Sequence, residues 1–301
     1  MRKISVVISG YNEEKMIEGC LKSVKNLVSE IIFVDNTSSD KTVQIVKKYT
    51  DKIFIRPNDP VMLNRNKNFG FTKATGNWIL SLDADERITP SLSAEIRKSI
   101  STDQYRGYEI PRKNIIFGKW VKHSIWWPDY NLRLFLRNRG KFAEKHVHEK
   151  IEVKGRVGRL ANPMIHYNYQ TVSQFIKKLD TTYTESETEN FLRQKKSLNW
   201  YDAIRWPVAD FVKTFFFEKG YKDGLHGLVL SMFQAFYALV FFAKVWERKE
   251  KFADLTPDNF LSEIIKEFSK AAKDVRYWIY EVLIGNNPGK KIYYKIRRKL
   301  R

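Results

Sequence analysis

The 301-residue chain holds a single cysteine, Cys20, which excludes an internal disulfide framework and any cysteine-built zinc site. A lone thiol fits a reducing compartment, and its place on the apolar side of a helical pattern fits core packing. Histidine is sparse too: of five residues, four (His123, His146, His148 and His166) fall between 105 and 168. No repeat or low-complexity segment interrupts the chain. It opens directly on strand-like residues without a cleavable secretory signal, so a cytoplasmic location is expected. Acidic residues are missing from Asn286 onward, where Lys290, Lys291, Lys295, Arg297, Arg298, Lys299 and Arg301 surround Tyr293 and Tyr294.

What is present is a folded composition, 43% hydrophobic and 14% aromatic, long enough for one large domain or two smaller ones. The formal net charge of +20 calls for a polyanion: nucleic acid, an anionic membrane face or phosphorylated substrates. Basic residues mixed with tyrosines in the 289–301 tail suit the headgroup region of a cytoplasmic leaflet. One apolar run stands out, the twenty uncharged residues 224–243. Its length could just cross a bilayer, but Gly224, Gly227, Ser231 and Gln234 dilute it. A packing helix, or one lying in the membrane interface, is the expectation.

The first hundred residues alternate strand and helix: strand 3–9, helix 13–28, strand 30–35, helix 39–49, strand 52–55, helix 61–74, strand 77–82. Ser38 or Ser39 is the expected cap of the second helix. Connections this short imply right-handed βαβ units and a Rossmann-like, mostly parallel α/β sheet with helices on both faces. Short β segments follow at 106–111, 131–137 and 151–153, and after Tyr169 the pattern is helical. The expected division is a domain at 1–169 and a helical C-terminal region at 170–301.

The sharpest chemical signal is the apolar strand Trp78-Ile79-Leu80-Ser81-Leu82, which ends in Asp83-Ala84-Asp85-Glu86. Carboxylates at i and i+2, presented where a strand stops, can hold a hard divalent cation in the crevice beyond the sheet. The earlier strands end likewise in Tyr11-Asn12-Glu13-Glu14 and Asp35-Asn36. Several strands delivering carboxylates and amides to one edge point to a nucleotide site with a metal.

These motifs, with Lys67-Asn68 and Ala74-Thr75-Gly76 between them, resemble glycosyltransferase family 2, of GT-A fold. Trp127-Pro128-Asp129-Tyr130-Asn131-Leu132-Arg133, Val147-His148-Glu149 and Gly224-Leu225-His226-Gly227 resemble its bacterial lipopolysaccharide-core β-glucosyltransferase branch. The resemblance implies sugar transfer from a nucleotide-sugar, UDP-glucose foremost, with inversion at the anomeric carbon. It implies Mg²⁺ or Mn²⁺ at Asp85 and Asp83, with His166 as a third ligand, and donor contacts from Tyr11, Asn12, Glu14, Asp35, Lys67 and Asp83. Lys67 stands where many relatives carry arginine near the donor phosphates. Inversion by single displacement also needs a base for the acceptor hydroxyl. Asp129, among tryptophans and with Arg133 expected beside it, is the candidate, and Glu86 its rival. Trp127, Arg133, His148 and Glu149 are candidate acceptor or sugar contacts.

The reading is a metal-dependent hexosyltransferase, peripheral on the inner face of the membrane, with a lipid-linked or lipopolysaccharide-core acceptor. A protein, polyprenyl phosphate or another polysaccharide are the alternative acceptors. A nucleic-acid-binding protein would explain the charge, but no stacked-aromatic RNA signature or zinc-finger spacing accompanies it, and carboxylate-rich strand ends repel phosphates unless a cation is present.

Overall fold

A computed structural model describes residues 2–59, 62–144 and 149–299. The chain divides into two compact units, Met1–Trp120 with Trp126–Gln174, and Val121–Ile125 with Phe175–Arg301.

In the first unit, β1 (Ile4–Gly10), β2 (Glu30–Asp35), β3 (Ile53–Ile55) and β4 (Trp78–Leu82) run parallel in the order β3-β2-β1-β4. Both faces are apolar, as a sheet covered on two sides requires. Val6, Ile8, Phe33, Leu80 and Leu82 pack against Ile17, Leu21 and Val24 of the first helix. Val7, Ile32 and Ile79 pack with Phe71, from the helix Leu63–Thr72. Gly70 on that helix lets it lie close to the sheet, since a Cβ there would sit 2.5 Å from Val7 Cγ1.

The first two helices are shorter than their patterns, at Ile17–Val24 and Thr42–Val46. Residues 11–14 are drawn instead into the loop after β2. Asn12 N–H donates to Ser38 Oγ at 3.0 Å, Ser39 N–H to Asn12 Oδ1 at 2.8 Å, and Glu14 N–H to Asp40 Oδ2 at 3.1 Å. Ser38 and Ser39 therefore do not cap the second helix; Asp40 Oδ1 takes the Thr42 N–H at 2.9 Å.

Beyond β4 the sheet becomes mixed. β5 (Glu86–Arg87), β6 (Gly107–Ile116), β7 (Lys119–Trp120) and β8 (Asp129–Leu136) are followed by a small β9 (Gly140–Lys141)–β10 (Glu152–Val153) pair. β11 (Val157–Arg159) and β12 (Met164–Tyr169) complete the set, and the order continues β4-β8-β6-β12-β5. β8 runs antiparallel to both β4 and β6, which brings Asp129 back toward the end of β4 where the acidic cluster begins.

The second unit is helical among the described residues. Its helix Leu225–Val245 buries Gly227, Leu230, Ser231, Ala238, Phe242 and Val245, and Trp206 stacks on Phe241 at 5.2 Å. The opposite stripe, Leu225, Leu228, Met232, Phe236 and Leu239, is exposed. By length and composition this helix could cross a membrane. Arg205 grips Glu267 of the helix Phe260–Asn286 with two bonds of 2.8 Å, and the helix Lys291–Lys299 follows.

The edge of the parallel sheet where β2 begins is fastened by Glu30. Its carboxylate accepts from Ser5 and Lys52, from Thr75 N–H at 2.6 Å and from Gly76 N–H at 3.2 Å, so one side chain joins β1, β2 and the approaches to β3 and β4. Burial opposes its charge, but the Lys52, Ser5 and Thr75 bonds outweigh that and bring its pKa down to about 2. A depressed carboxyl pKa contributes stability that is present above its unfolded value and lost as pH falls toward the folded one. Glu30→Gln is thus expected to lower stability by about 1–3 kcal/mol at pH 7. In urea denaturation the gap to wild type should narrow as pH falls from 4.5 toward 2; a pH-independent gap would refute the ionic account.

Candidate active site

The site is built where β4 ends, from four neighbouring strands. Asp83 is held from two sides: Lys67 Nζ lies 2.5 Å from Oδ1 and Arg133 Nη2 lies 2.6 Å from Oδ2. Burial disfavours its charge, yet Arg133 and Lys67 hold the carboxyl well below the usual carboxylate range. Arg133 also bonds Glu86 Oε1 at 2.6 Å, while Glu86 Oε2 accepts the Asp83 N–H at 2.9 Å. Glu86 is fully buried, so this rival base is sealed inside the cluster. Arg133, expected at a sugar, is likewise 6% exposed and turned inward. Lys67, expected at the donor phosphates, is seated on Asp83.

Asp129 opens β8, and the antiparallel register sets it opposite Arg112 of β6. Arg112 Nε and Nη2 both donate to Oδ2, at 2.8 and 2.6 Å, and Asn114 Nδ2 reaches the same oxygen at 3.4 Å. Asn131 Nδ2 donates to Oδ1 at 2.8 Å. The guanidinium beside Asp129 is therefore Arg112 and not Arg133, because cross-strand register outranks nearness in sequence. Trp127 meets Trp120 edge-on at 5.4 Å, and the Lys113 ammonium lies 4.5 Å over the Trp120 ring.

His166, on β12, pairs in register with Glu86 on one side and Asn114 on the other. Its Nε2 stands 3.5 Å from Asp85 Oδ2 and its Nδ1 2.6 Å from Asn114 Oδ1. A carboxylate oxygen and an imidazole nitrogen at that separation suit one borderline-hard cation, and Mg²⁺ or Mn²⁺ usually completes its shell with substrate phosphates and water. Asp83, expected as a ligand with them, is occupied by Lys67 and Arg133, and among the described residues no group of three or more His, Cys, Asp or Glu side chains is poised for a metal. Asp85 and His166 could supply two ligands to such a cation.

The other expected donor residues are split. Asp35 is 2% exposed; its Oδ2 accepts the Ser38 N–H at 3.0 Å, and its buried Oδ1 has no hydrogen-bond partner among the described residues. Asn12 and the Glu14 carboxylate, which accepts the Lys41 N–H at 3.1 Å, knit the β1 and β2 loops together, and Tyr11 is 45% exposed. Glu149 accepts the Glu144 N–H at 2.7 Å. His148 lies outside the described residues. Arg112 and Asn114 were not expected. Their signal was two polar residues at i and i+2 on a strand whose extent, to Ile116, exceeds the apolar run that marks it.

Residues 5–161 match the family model described as Glycosyl transferase family 2. A protein of Rickettsia typhi described as an uncharacterized glycosyltransferase is 28% identical, over 92% of this chain and 99% of that one. The lipopolysaccharide core biosynthesis glycosyltransferase LpsC of Rhizobium meliloti is 26% identical, over 86% of this chain and 97% of its own. The crystal structure of S. aureus TarS 1-349 in complex with UDP-GlcNAc is 18% identical, covers 83% of this chain and 91% of that one, and superposes with a TM-score of 0.46.

Arg133 neutralises two carboxylates that would otherwise repel at close range in a poorly solvated place. Removing one partner of a buried ion pair typically costs about 3–5 kcal/mol. Arg133→Met is expected to destabilise by that order in urea denaturation, and adding Glu86→Gln should recover part of the loss. Additive losses in the double variant would mean that Arg133 acts through packing.

Proposed function

The chain belongs to glycosyl transferase family 2, and on that premise we propose that it is an inverting, metal-dependent hexosyltransferase. We take its donor to be a UDP-sugar, UDP-glucose foremost, and its acceptor a lipid-linked or lipopolysaccharide-core glycan. LpsC, similar along most of both chains, supports the acceptor class. The observation that carries the reaction type is Asp129, a partly exposed carboxylate oriented by Arg112, Asn114 and Asn131 beside the Asp85–His166 pair.

A carboxylate offers about four acceptor positions, two on each oxygen. Oδ2 is saturated by Arg112 and Asn114, whereas among the described residues Oδ1 accepts only from Asn131. Oδ1 is therefore the oxygen that takes the acceptor's hydroxyl proton. As that proton moves, the acceptor oxygen bonds the anomeric carbon, and the bond from that carbon to the diphosphate breaks with its electron pair leaving on the nucleotide. A divalent cation at Asp85 and His166 would supply Lewis-acid stabilisation of the departing diphosphate. Asp35 Oδ1, buried with an open acceptor position, suits an N–H or O–H of the nucleoside. The Trp127 ring offers an apolar face for a pyranose.

Two features of the second unit support peripheral attachment to an anionic cytoplasmic leaflet. One is the exposed apolar stripe of the helix Leu225–Val245. The other is the helix Lys291–Lys299, where Ile292, Tyr293 and Ile296 are exposed among Lys291, Lys295 and Arg297. Each basic residue near such a surface is worth about 1 kcal/mol.

A screen of UDP-, GDP- and dTDP-sugars, with and without Mn²⁺, is expected to give metal-dependent binding or hydrolysis of a UDP-sugar. Asp129→Asn should lower turnover by about 10²–10⁴-fold with donor binding near wild type, and Asp85→Asn should cost transfer by orders of magnitude while the fold persists. Activity undiminished by excess chelator would refute the metal, and an active Asp129→Asn with a dead Glu86→Gln would move the base to Glu86.

Attachment is read by vesicle sedimentation. The protein should bind anionic but not neutral vesicles, and should be released by high salt, which screens surface charge, or by deleting residues 289–301. Donor hydrolysis should survive that deletion. Binding that ignores salt would mark the helix Leu225–Val245 as inserted, and no binding to either vesicle would favour a soluble acceptor.

A further inference from the structure

Asn114 is completely buried on β6, and both ends of its amide are committed. Nδ2 donates to the Trp126 carbonyl at 2.8 Å and to Asp129 Oδ2 at 3.4 Å, while Oδ1 lies 2.6 Å from His166 Nδ1. Only the NH₂ end can face a carbonyl and a carboxylate, so the amide has a single orientation and its oxygen must face the imidazole. A carbonyl oxygen accepts and never donates, so His166 Nδ1 carries a proton. In the neutral ring the lone pair then resides on Nε2, the nitrogen 3.5 Å from Asp85 Oδ2.

We propose that Asn114 is a positioning residue that sets the His166 tautomer and the orientation of Asp129 with one amide. It couples the donor-side pair to the acceptor-side base without touching either substrate. The register explains how one residue does both: Asn114 lies directly across from His166 on β12, and two residues from Arg112, which faces Asp129 on β8. Neighbours that orient a metal-binding histidine are typically worth about 10–100-fold in metal affinity. The role rests on the transferase reading above for its consequence, but the tautomer itself depends on neither donor nor metal.

The test uses two near-isosteric variants. Asn114→Asp keeps an acceptor for His166 Nδ1 and loses the donor to Asp129. Asn114→Leu loses both. The first readout is the ¹H–¹⁵N imidazole spectrum of metal-free, ¹⁵N-histidine-labelled protein, with His166 assigned by its loss in His166→Gln. Wild type and Asn114→Asp are expected to show His166 protonated at Nδ1, and Asn114→Leu to lose that preference. The second is calorimetric Mn²⁺ binding in the presence of UDP. Asn114→Leu should weaken it by about 10–100-fold, while Asn114→Asp stays within a few-fold of wild type and loses kcat with KM retained. A His166 protonated at Nε2 in wild type would overturn the proposal, as would a folded Asn114→Leu that binds Mn²⁺ normally. Equal loss of kcat and Mn²⁺ affinity in Asn114→Asp would reduce Asn114 to packing. Should Asn114→Leu not fold, wild type and Asn114→Asp decide the matter alone. If the donor screen fails while the tautomer follows Asn114, the proposed donor and metal reading falls and the tautomer assignment stands.

Discussion

Everything at this sheet edge depends on how three carboxylates in four residues are kept from repelling one another. Two unit charges about 4 Å apart at an effective dielectric of about 20 interact by about 4 kcal/mol. Asp83, Asp85 and Glu86 could not stand together uncompensated where water is scarce. Arg133 enters from β8 to bridge Asp83 and Glu86, and Lys67 closes on Asp83 from the helix above. Arg133 and Lys67 engage the first and third carboxylates, while the middle one faces His166. A run that reads as three equivalent acids becomes an ionic scaffold and an acid set against an imidazole.

That scaffold explains why the reversal of strand direction after β4 matters. A continuing parallel sheet would have carried Asp129 and Arg133 to the wrong end. Because β8 runs antiparallel to β4, its first residue and its fifth reach the same edge as the C-terminus of β4. β6, antiparallel to β8 and parallel to β12, then gathers Arg112, Asn114 and His166 there. The far edge has a different task. Glu30, with its bonds to Ser5, Lys52 and Thr75, fixes the spacing of the parallel strands on which the site is mounted. Rigidity is held at one end and chemistry at the other, as is usual where ligands bind beyond the carboxyl ends of strands.

The first four strands and the helices between them were legible because burial on both sheet faces forces continuous apolar runs, and each run ends where solvent begins. The acidic cluster was legible for the same reason, as polar residues that interrupt such a run. Helix lengths were not, since residues 11–14 answered to Ser38, Ser39 and Asp40, partners about twenty-six positions away that no local pattern encodes. Asp129 and His166 could be nominated by residue type and setting. Their neighbours could not: which guanidinium meets Asp129, and which amide meets His166, is decided by strand register. Arg133 was misplaced on this account, and Arg112 and Asn114 were overlooked.

The hydrogen-bond donors around Asp129 fix its carboxylate through one oxygen more than through the other. They are spread unevenly: Arg112 and Asn114 crowd Oδ2, and Oδ1 keeps an open position beside Asn131. If Asp129 is the base, as proposed, Oδ2 serves orientation and Oδ1 takes the proton, and the acceptor's hydroxyl approaches from the Oδ1 side.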